Sequence, residues 1–257
     1  MAQAEVQQPA RGWHARLIVE ERYRTRAQRR RLLVLAAVLM GVGLVGFAVL
    51  LAAVVPTRGP LPVDQAVDAW LDERRTTGLT SVSTVLALGF GPIGMPIVVL
   101  VTLAIWIWRA RHLWRPLLIA GGMLVGVALA QGIAPLVQRP RPPAAEMLLD
   151  VDRTFSFPSG HVLGMSDFFL LTAFLLASRI AGRWVTVLAT TLAVLLVAAQ
   201  AASRLYLGYH WLTDVSASVA LSLVVVGAIV ALDTRRTVRV EGERIDGPLS
   251  APQHDGT

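Results

Sequence analysis

The stretch LLVLAAVLMGVGLVGFAVLLAAVV, Leu32 to Val55, runs through 24 residues without a charged or amide side chain. A helix rises about 1.5 Å per residue, so this run covers the ~30 Å hydrocarbon core of a bilayer. Arg29-Arg30-Arg31 precede it and Pro56 ends it. It is too long for a signal-peptide core and reads as an uncleaved anchor. Five more apolar segments follow, at about Val85–Trp108, Leu113–Val137, Val162–Ile180, Trp184–Ala202 and Leu212–Leu232. Each approaches the ~20 residues that cross a bilayer as a helix, and none alternates in the manner of a barrel strand. The predicted fold is therefore all-α, an integral membrane bundle of six transmembrane helices. Gly89, Gly91, Pro92, Gly94 and Pro96 predict a kink or a close helix contact within the second span.

Composition agrees with this reading. The 257 residues are 54% hydrophobic and 16% charged, with a mean hydropathy of +0.58. The absence of cysteine excludes disulfides, thiolate metal sites and cysteine nucleophiles. The net charge of +7 comes from 24 basic residues, all arginine. Their placement matters more than their sum. They cluster in the N-terminal tail (Arg11, Arg16, Arg22, Arg24, Arg26, Arg29–Arg31), in the second connection (Arg109, Arg111, Arg115), in the fourth (Arg179, Arg183) and in the C-terminal tail (Arg235, Arg236, Arg239, Arg244).

The positive-inside rule assigns these four regions to the cytoplasm, and six spans require both tails on one side. Loops 56–84, 138–161 and 203–211 then face outward. A basic segment beside a span reads as a topology signal with affinity for anionic lipid, so nucleic acid is not an expected partner. The expected division is a basic cytoplasmic tail at 1–31, a six-span domain at 32–232, and a disordered cytoplasmic tail at 233–257. In the first outer loop Val63, Ala66, Val67, Trp70 and Leu71 recur at helical spacing opposite Asp64, Asp68, Asp72, Glu73 and Arg74. This pattern predicts a short amphipathic helix on the outer interface.

Three polar clusters interrupt the apolar chain: APLVQRPRPP (Ala134–Pro143), FSFPSGHVLGMSD (Phe155–Asp167) and SRLYLGYHWLTD (Ser203–Asp214). The predicted topology places all three at the same membrane face. Arg139, Arg141 and Arg204 offer forked donors suited to phosphate oxygens. Ser159, Gly160 and His161 fall at a helix N-terminus, where free N–H groups and the macrodipole favour an anion. His210 and Asp214, spaced i, i+4, share a helix face, so the carboxylate is placed to hold Nδ1–H and free Nε2 as nucleophile or base. His161 is left for the opposite proton transfer. A two-histidine, one-carboxylate metal site built from His161, His210 and Asp214 is the competing chemistry, disfavoured by three nearby arginines. Asp167 lies inside the fourth span and reads as paired with a neighbouring helix or placed behind the site.

These residues resemble the three-part signature of the type 2 phosphatidic acid phosphatase superfamily, membrane branch: KxxxxxxRP, PSGH and SRxxxxxHxxxD. The second part is intact at Pro158–His161, and the third runs from Ser203 and Arg204 through His210 to Asp214. The first is partial, because Arg141-Pro142 match its end while the lysine position holds Ala134. The resemblance implies that His210 attacks phosphorus to form a phosphohistidine, with Asp214 orienting it and His161 protonating the leaving oxygen. It also implies that Arg141, Arg204, Ser159 and the Gly160 N–H hold the phosphoryl oxygens without a metal or other cofactor. Arg139 is the expected substitute for the missing lysine, with Gln131 and Gln138 as neutral alternatives. The expected activity is extracytoplasmic hydrolysis of a lipid phosphate or diphosphate, polyprenyl diphosphate foremost. A lipid phosphotransferase and a non-catalytic lipid-phosphate binder are the alternatives.

Overall fold

The computed structural model describes residues 16–252 except 110, 179–182, 246 and 248. Arg11 and Arg179 of the predicted basic clusters lie outside the described residues. Eight helices occur among them: α1 Arg26–Val54, α2 Pro62–Asp72, α3 Thr77–Gly89, α4 Gly94–Arg109, α5 Trp114–Val137, α6 Gly160–Ala177, α7 Arg183–Tyr206 and α8 Leu212–Thr237. Five are long and apolar enough to cross a membrane. The bent pair α3 and α4, meeting at 56°, makes a sixth span if counted as one. The bend falls at the predicted Gly/Pro cluster.

The bundle is apolar outside as well as inside, as lipid solvation allows. Val38, Val42, Leu44, Val45 and Val49 of α1 and Leu100, Ile105 and Trp108 of α4 all face outward. Helices α6 and α8 are the most enclosed. Helix α1 packs along α8 over most of its length. Two glycines permit this closeness: a Cβ on Gly43 would meet the Ala220 carbonyl at 2.5 Å, and one on Gly227 the Ala36 carbonyl at 2.8 Å. Leu118, Ile119, Phe168, Leu171, Val226 and Val230 fill the core between α5, α6 and α8.

The amphipathic helix α2 forms as predicted, capped by Asp64 on the Leu61 N–H at 2.9 Å. Its orientation follows a membrane environment: Val63 and Trp70 face outward, while Asp64 is turned inward and buried.

The C-terminal tail departs from the expected disorder. Strand β1 (Val19–Tyr23) pairs in parallel with β2 (Val238–Arg239) and β3 (Ser250–Pro252), in the order β2-β1-β3. Glu21 is buried beneath this sheet and receives Arg236, Arg239 and Ser250. At the same end of the bundle Arg16 bonds to the Ile107 carbonyl, Arg22 to that of Ser178, and Arg29 to Glu243 at 2.8 Å. The described arginine-rich segments therefore gather at one end, and the three polar clusters lie at the other.

Candidate active site

Four chain segments build the site: the turn after α5, the loop ending at Ser159, the C-terminus of α7 with its following turn, and the start of α8. Gly208 allows the turn between α7 and α8. Its φ is +75°, and a Cβ there would strike the Glu146 carbonyl at 2.5 Å. This turn delivers His210 to the α8 N-terminus, buried.

His210 is held by two groups on opposite sides of its ring. Nδ1 lies 2.8 Å from the Ser156 carbonyl, and Nε2 lies 3.0 Å from an Arg141 guanidinium nitrogen. Arginine only donates, so Nε2 accepts and Nδ1 carries the proton. Burial, then the charges of Arg141 and Arg204, hold His210 well below the usual imidazole range; the Ser156 carbonyl and Asp152 pull weakly the other way. The ring is thus neutral, with its Nε2 lone pair turned toward the arginine, the form that a nucleophile requires.

The orienting partner differs from expectation. Asp214 Oδ2 stands 3.7 Å from Nδ1, beyond hydrogen-bond reach, while the Ser156 carbonyl takes that proton. Asp214 instead accepts the Trp211 N–H at 2.9 Å and an Arg139 N–H at 2.5 Å.

Arg139 also requires correction. It is wholly buried between Asp214 and Asp64, with Thr213 and the Gly59 carbonyl taking further N–H groups. Both ends of its fork are committed to protein acceptors, so it does not replace the missing lysine as a phosphate ligand. Gln131 and Gln138 are exposed, and Gln138 accepts from Arg58 at 3.3 Å.

Arg141 and Arg204 are brought beside His210. Arg141 spans Asp152 at 2.9 Å, the Thr154 hydroxyl at 2.8 Å and the Tyr209 carbonyl at 2.8 Å. Burial lowers it from the ordinary guanidinium range, while Asp152 opposes the shift. Arg204 is buried, stacks 4.3 Å from the Tyr209 ring centroid, and leaves its Nε without an acceptor. Arg204 forms no ion pair among the described residues, and such an unmatched interior cation calls for an anion.

Ser159 caps α6, its hydroxyl 3.5 Å from the Val162 N–H. Gly160 faces open space, since a Cβ there would touch nothing within 4 Å. His161 lies within electrostatic reach of Arg204, His210 and Arg141, and packs against Gly91 at the α3–α4 bend. Asp167 is not part of this group; it is buried farther along α6, over Gly126 and near Ser222. Among the described residues, the one trio of acidic or imidazole side chains close enough to share an ion is Asp68, Asp72 and Glu146, which excludes His161, His210 and Asp214.

Sequence reasoning missed Asp152, Thr154 and the Ser156 carbonyl as supports, and Asp64 as a buried group. Only Asp64 carried a sequence signal, its capping position after Leu61-Pro62.

Comparison with known proteins agrees with these motifs. The model of the PAP2 superfamily matches residues 115–237. Decaprenylphosphoryl-5-phosphoribose phosphatase of Mycobacterium tuberculosis is 39% identical over 130 residues, covering 49% of this chain and 64% of the relative. The chain thus spans somewhat less than two thirds of that relative's length. Phosphatidylglycerophosphatase B of Bacillus subtilis is 26% identical over 202 residues, covering 74% and 92%. A crystal structure described as a transmembrane PAP2 type phosphatidylglycerolphosphate phosphatase from Bacillus subtilis superposes with a TM-score of 0.67 at 21% identity, covering 75% of this chain and 94% of that one. Residues 115–237 of this chain are thus similar to the PAP2 superfamily, and the fold is that of the Bacillus subtilis structure.

Proposed function

We propose that the protein is a membrane phosphatase that removes phosphate from a lipid headgroup through a phosphohistidine on His210. The observation that carries this reading is the unprotonated Nε2 of His210, 3.0 Å from Arg141 and within electrostatic reach of an Arg204 that forms no ion pair among the described residues. In the first step Nε2 forms a bond to phosphorus and the lipid oxygen leaves, taking a proton from His161. In the second, water gives its proton to His161 and attacks phosphorus, breaking the N–P bond and releasing inorganic phosphate. Arg141, Arg204, the Gly160 N–H and Ser159 stabilise the phosphoryl oxygens, so fixed protein charges do the work otherwise given to a metal ion. The relatives' names favour a phosphate monoester on a lipid-linked polyol, either polyprenyl-linked or glycerol-based; polyprenyl diphosphate, a phosphoanhydride, is the alternative substrate. The gathering of the arginine-rich segments at the opposite end supports an extracytoplasmic site with both termini cytoplasmic.

The test is inorganic phosphate release by purified protein, with EDTA present, from phosphatidylglycerophosphate, phosphatidic acid, decaprenylphosphoryl-5-phosphoribose and undecaprenyl diphosphate. Release from at least one lipid, inhibited by vanadate, is expected. Label recovered on an acceptor alcohol would identify a phosphotransferase, binding without release a non-catalytic binder, and a strict Mg²⁺ or Zn²⁺ requirement would overturn the metal-free mechanism. A tag placed within 144–150 should be reachable from outside intact cells, and one at either terminus should not.

A further inference from the structure

We propose that Asp64 of the interface helix α2 is a positioning residue for this reaction, acting on His210 through Arg139, Thr213 and Asp214. The inference rests on the reading of His210 as nucleophile.

Asp64 is buried, yet it belongs to none of the polar clusters in the sequence. Its Oδ1 accepts the Thr213 backbone N–H at 2.9 Å. Its Oδ2 accepts the Thr213 hydroxyl at 2.9 Å, an Arg139 N–H at 2.7 Å and the Leu61 N–H at 2.9 Å. Thr213 is in the first turn of α8, where backbone N–H groups have no partner within the helix. Asp64 therefore caps α8 from a different helix, while Asp214 caps the same turn from within by taking the Trp211 N–H. Two carboxylates meet the positive end of the α8 macrodipole, and one guanidinium lies between them.

The charge count gives this arrangement a chemical role. Asp64, Asp214 and Arg139 together carry one net negative charge, buried directly behind His210. When Nε2 bonds to phosphorus, the ring keeps its Nδ1 proton and becomes cationic. A net negative charge behind it stabilises that cation in the transition state more than the neutral ring in the ground state. Without the Asp64 charge, Arg139 would be matched by Asp214 alone and the cluster would become neutral. The field at His210 would then lose its sign, although the phosphate ligands would be untouched. The expected consequence falls on kcat, with KM nearly unchanged.

The experiment compares phosphate release by wild type, Asp64→Asn, Arg139→Gln and the double variant, using the lipid turned over fastest in the panel above. Asp64→Asn is expected to lower kcat roughly tenfold to a hundredfold, as loss of a group that orients a reacting side chain does. The double variant restores the single negative charge and is expected to recover several-fold over Asp64→Asn. A purely structural role predicts a double variant no better than the worse single one. Asp64→Ser, which removes the charge but leaves a hydroxyl oxygen on the α2 side, provides a second route if Asp64→Asn does not fold, and kcat should fall by a similar factor at nearly constant KM. Wild-type kcat in Asp64→Asn, or no recovery in the double variant, overturns the proposal; if Asp64→Asn yields no folded protein, wild-type kcat in Asp64→Ser overturns it. His210→Ala separates this from the parent reading: turnover surviving there sinks the nucleophile itself, whereas loss of turnover there with normal Asp64→Asn sinks only the role of Asp64.

Discussion

Arginines occupy both ends of this bundle, but they are satisfied differently. At the tail end they find acceptors: Arg29 meets Glu243, Arg236 and Arg239 meet Glu21, and Arg22 meets a helix-terminal carbonyl. At the motif end Arg139 is enclosed by two carboxylates, Arg141 retains Asp152, and Arg204 has an aromatic face in place of an anion. The tail end holds more of the positive charge, but number alone does not make a site. What does is a buried charge whose counterion is not supplied by the fold.

The sharpest way to break this contrast is to remove the uncompensated charge. Arg204→Ala should lower kcat/KM by about 10²–10³-fold, the scale for losing one donor to a developing oxyanion. His210→Ala should abolish turnover. Phosphate release from a lipid substrate measures both. Arg239→Ala tests the other end: it strips a principal partner from buried Glu21 and should cost about 1–3 kcal/mol in unfolding free energy while leaving kcat intact. Thermal denaturation beside the activity assay separates these outcomes. A smaller effect is expected from Arg29→Ala, whose pair with Glu243 is solvent-exposed; the unfolding transition should barely move, and less still in high salt.

The subtlest prediction concerns pH. Burial, and then the neighbouring Asp68 carboxylate, push Glu146 up to about 7. A carboxyl raised in the folded state contributes its stability below its unfolded value and loses it as pH rises through the folded one. The link between α2 and the Ala144–Glu146 turn should therefore loosen progressively as pH rises from 4.5 to about 7. Hydrogen exchange at 144–149 should show this opening beyond the intrinsic rise in exchange rate, and Glu146→Gln should remove it.

The spans were legible because lipid demands long apolar runs, and the three signature motifs because their polar residues stand out in such runs. The limits have physical causes. The second span was expected to begin at Val85, but α3 begins at Thr77. Its hydroxyls bond back to carbonyls one turn earlier, from Thr80 to Thr76, Ser81 to Thr77 and Thr84 to Thr80, so a loop-like composition forms a helix. Arg139 and Arg141 look equivalent in QRPRPP; only the approach of Asp64 from a separate helix turns one inward. The tail sheet is built from strands of five, two and three residues, too short for any alternation to show.

The pairing of α1 with α8 has a consequence for the order of events at the ribosome. Among the described helices, the first to be translated has its main partner in the last. Gly43 cannot meet Ala220, nor Ala36 meet Gly227, and β1 cannot be flanked by β2 and β3, until α8 and the segment after it have been translated. The same late segment brings His210 and Asp214. A partly translated chain therefore has neither a closed bundle nor the histidine assigned as nucleophile. The packing of α1 and the delivery of His210 and Asp214 thus depend on one and the same late segment.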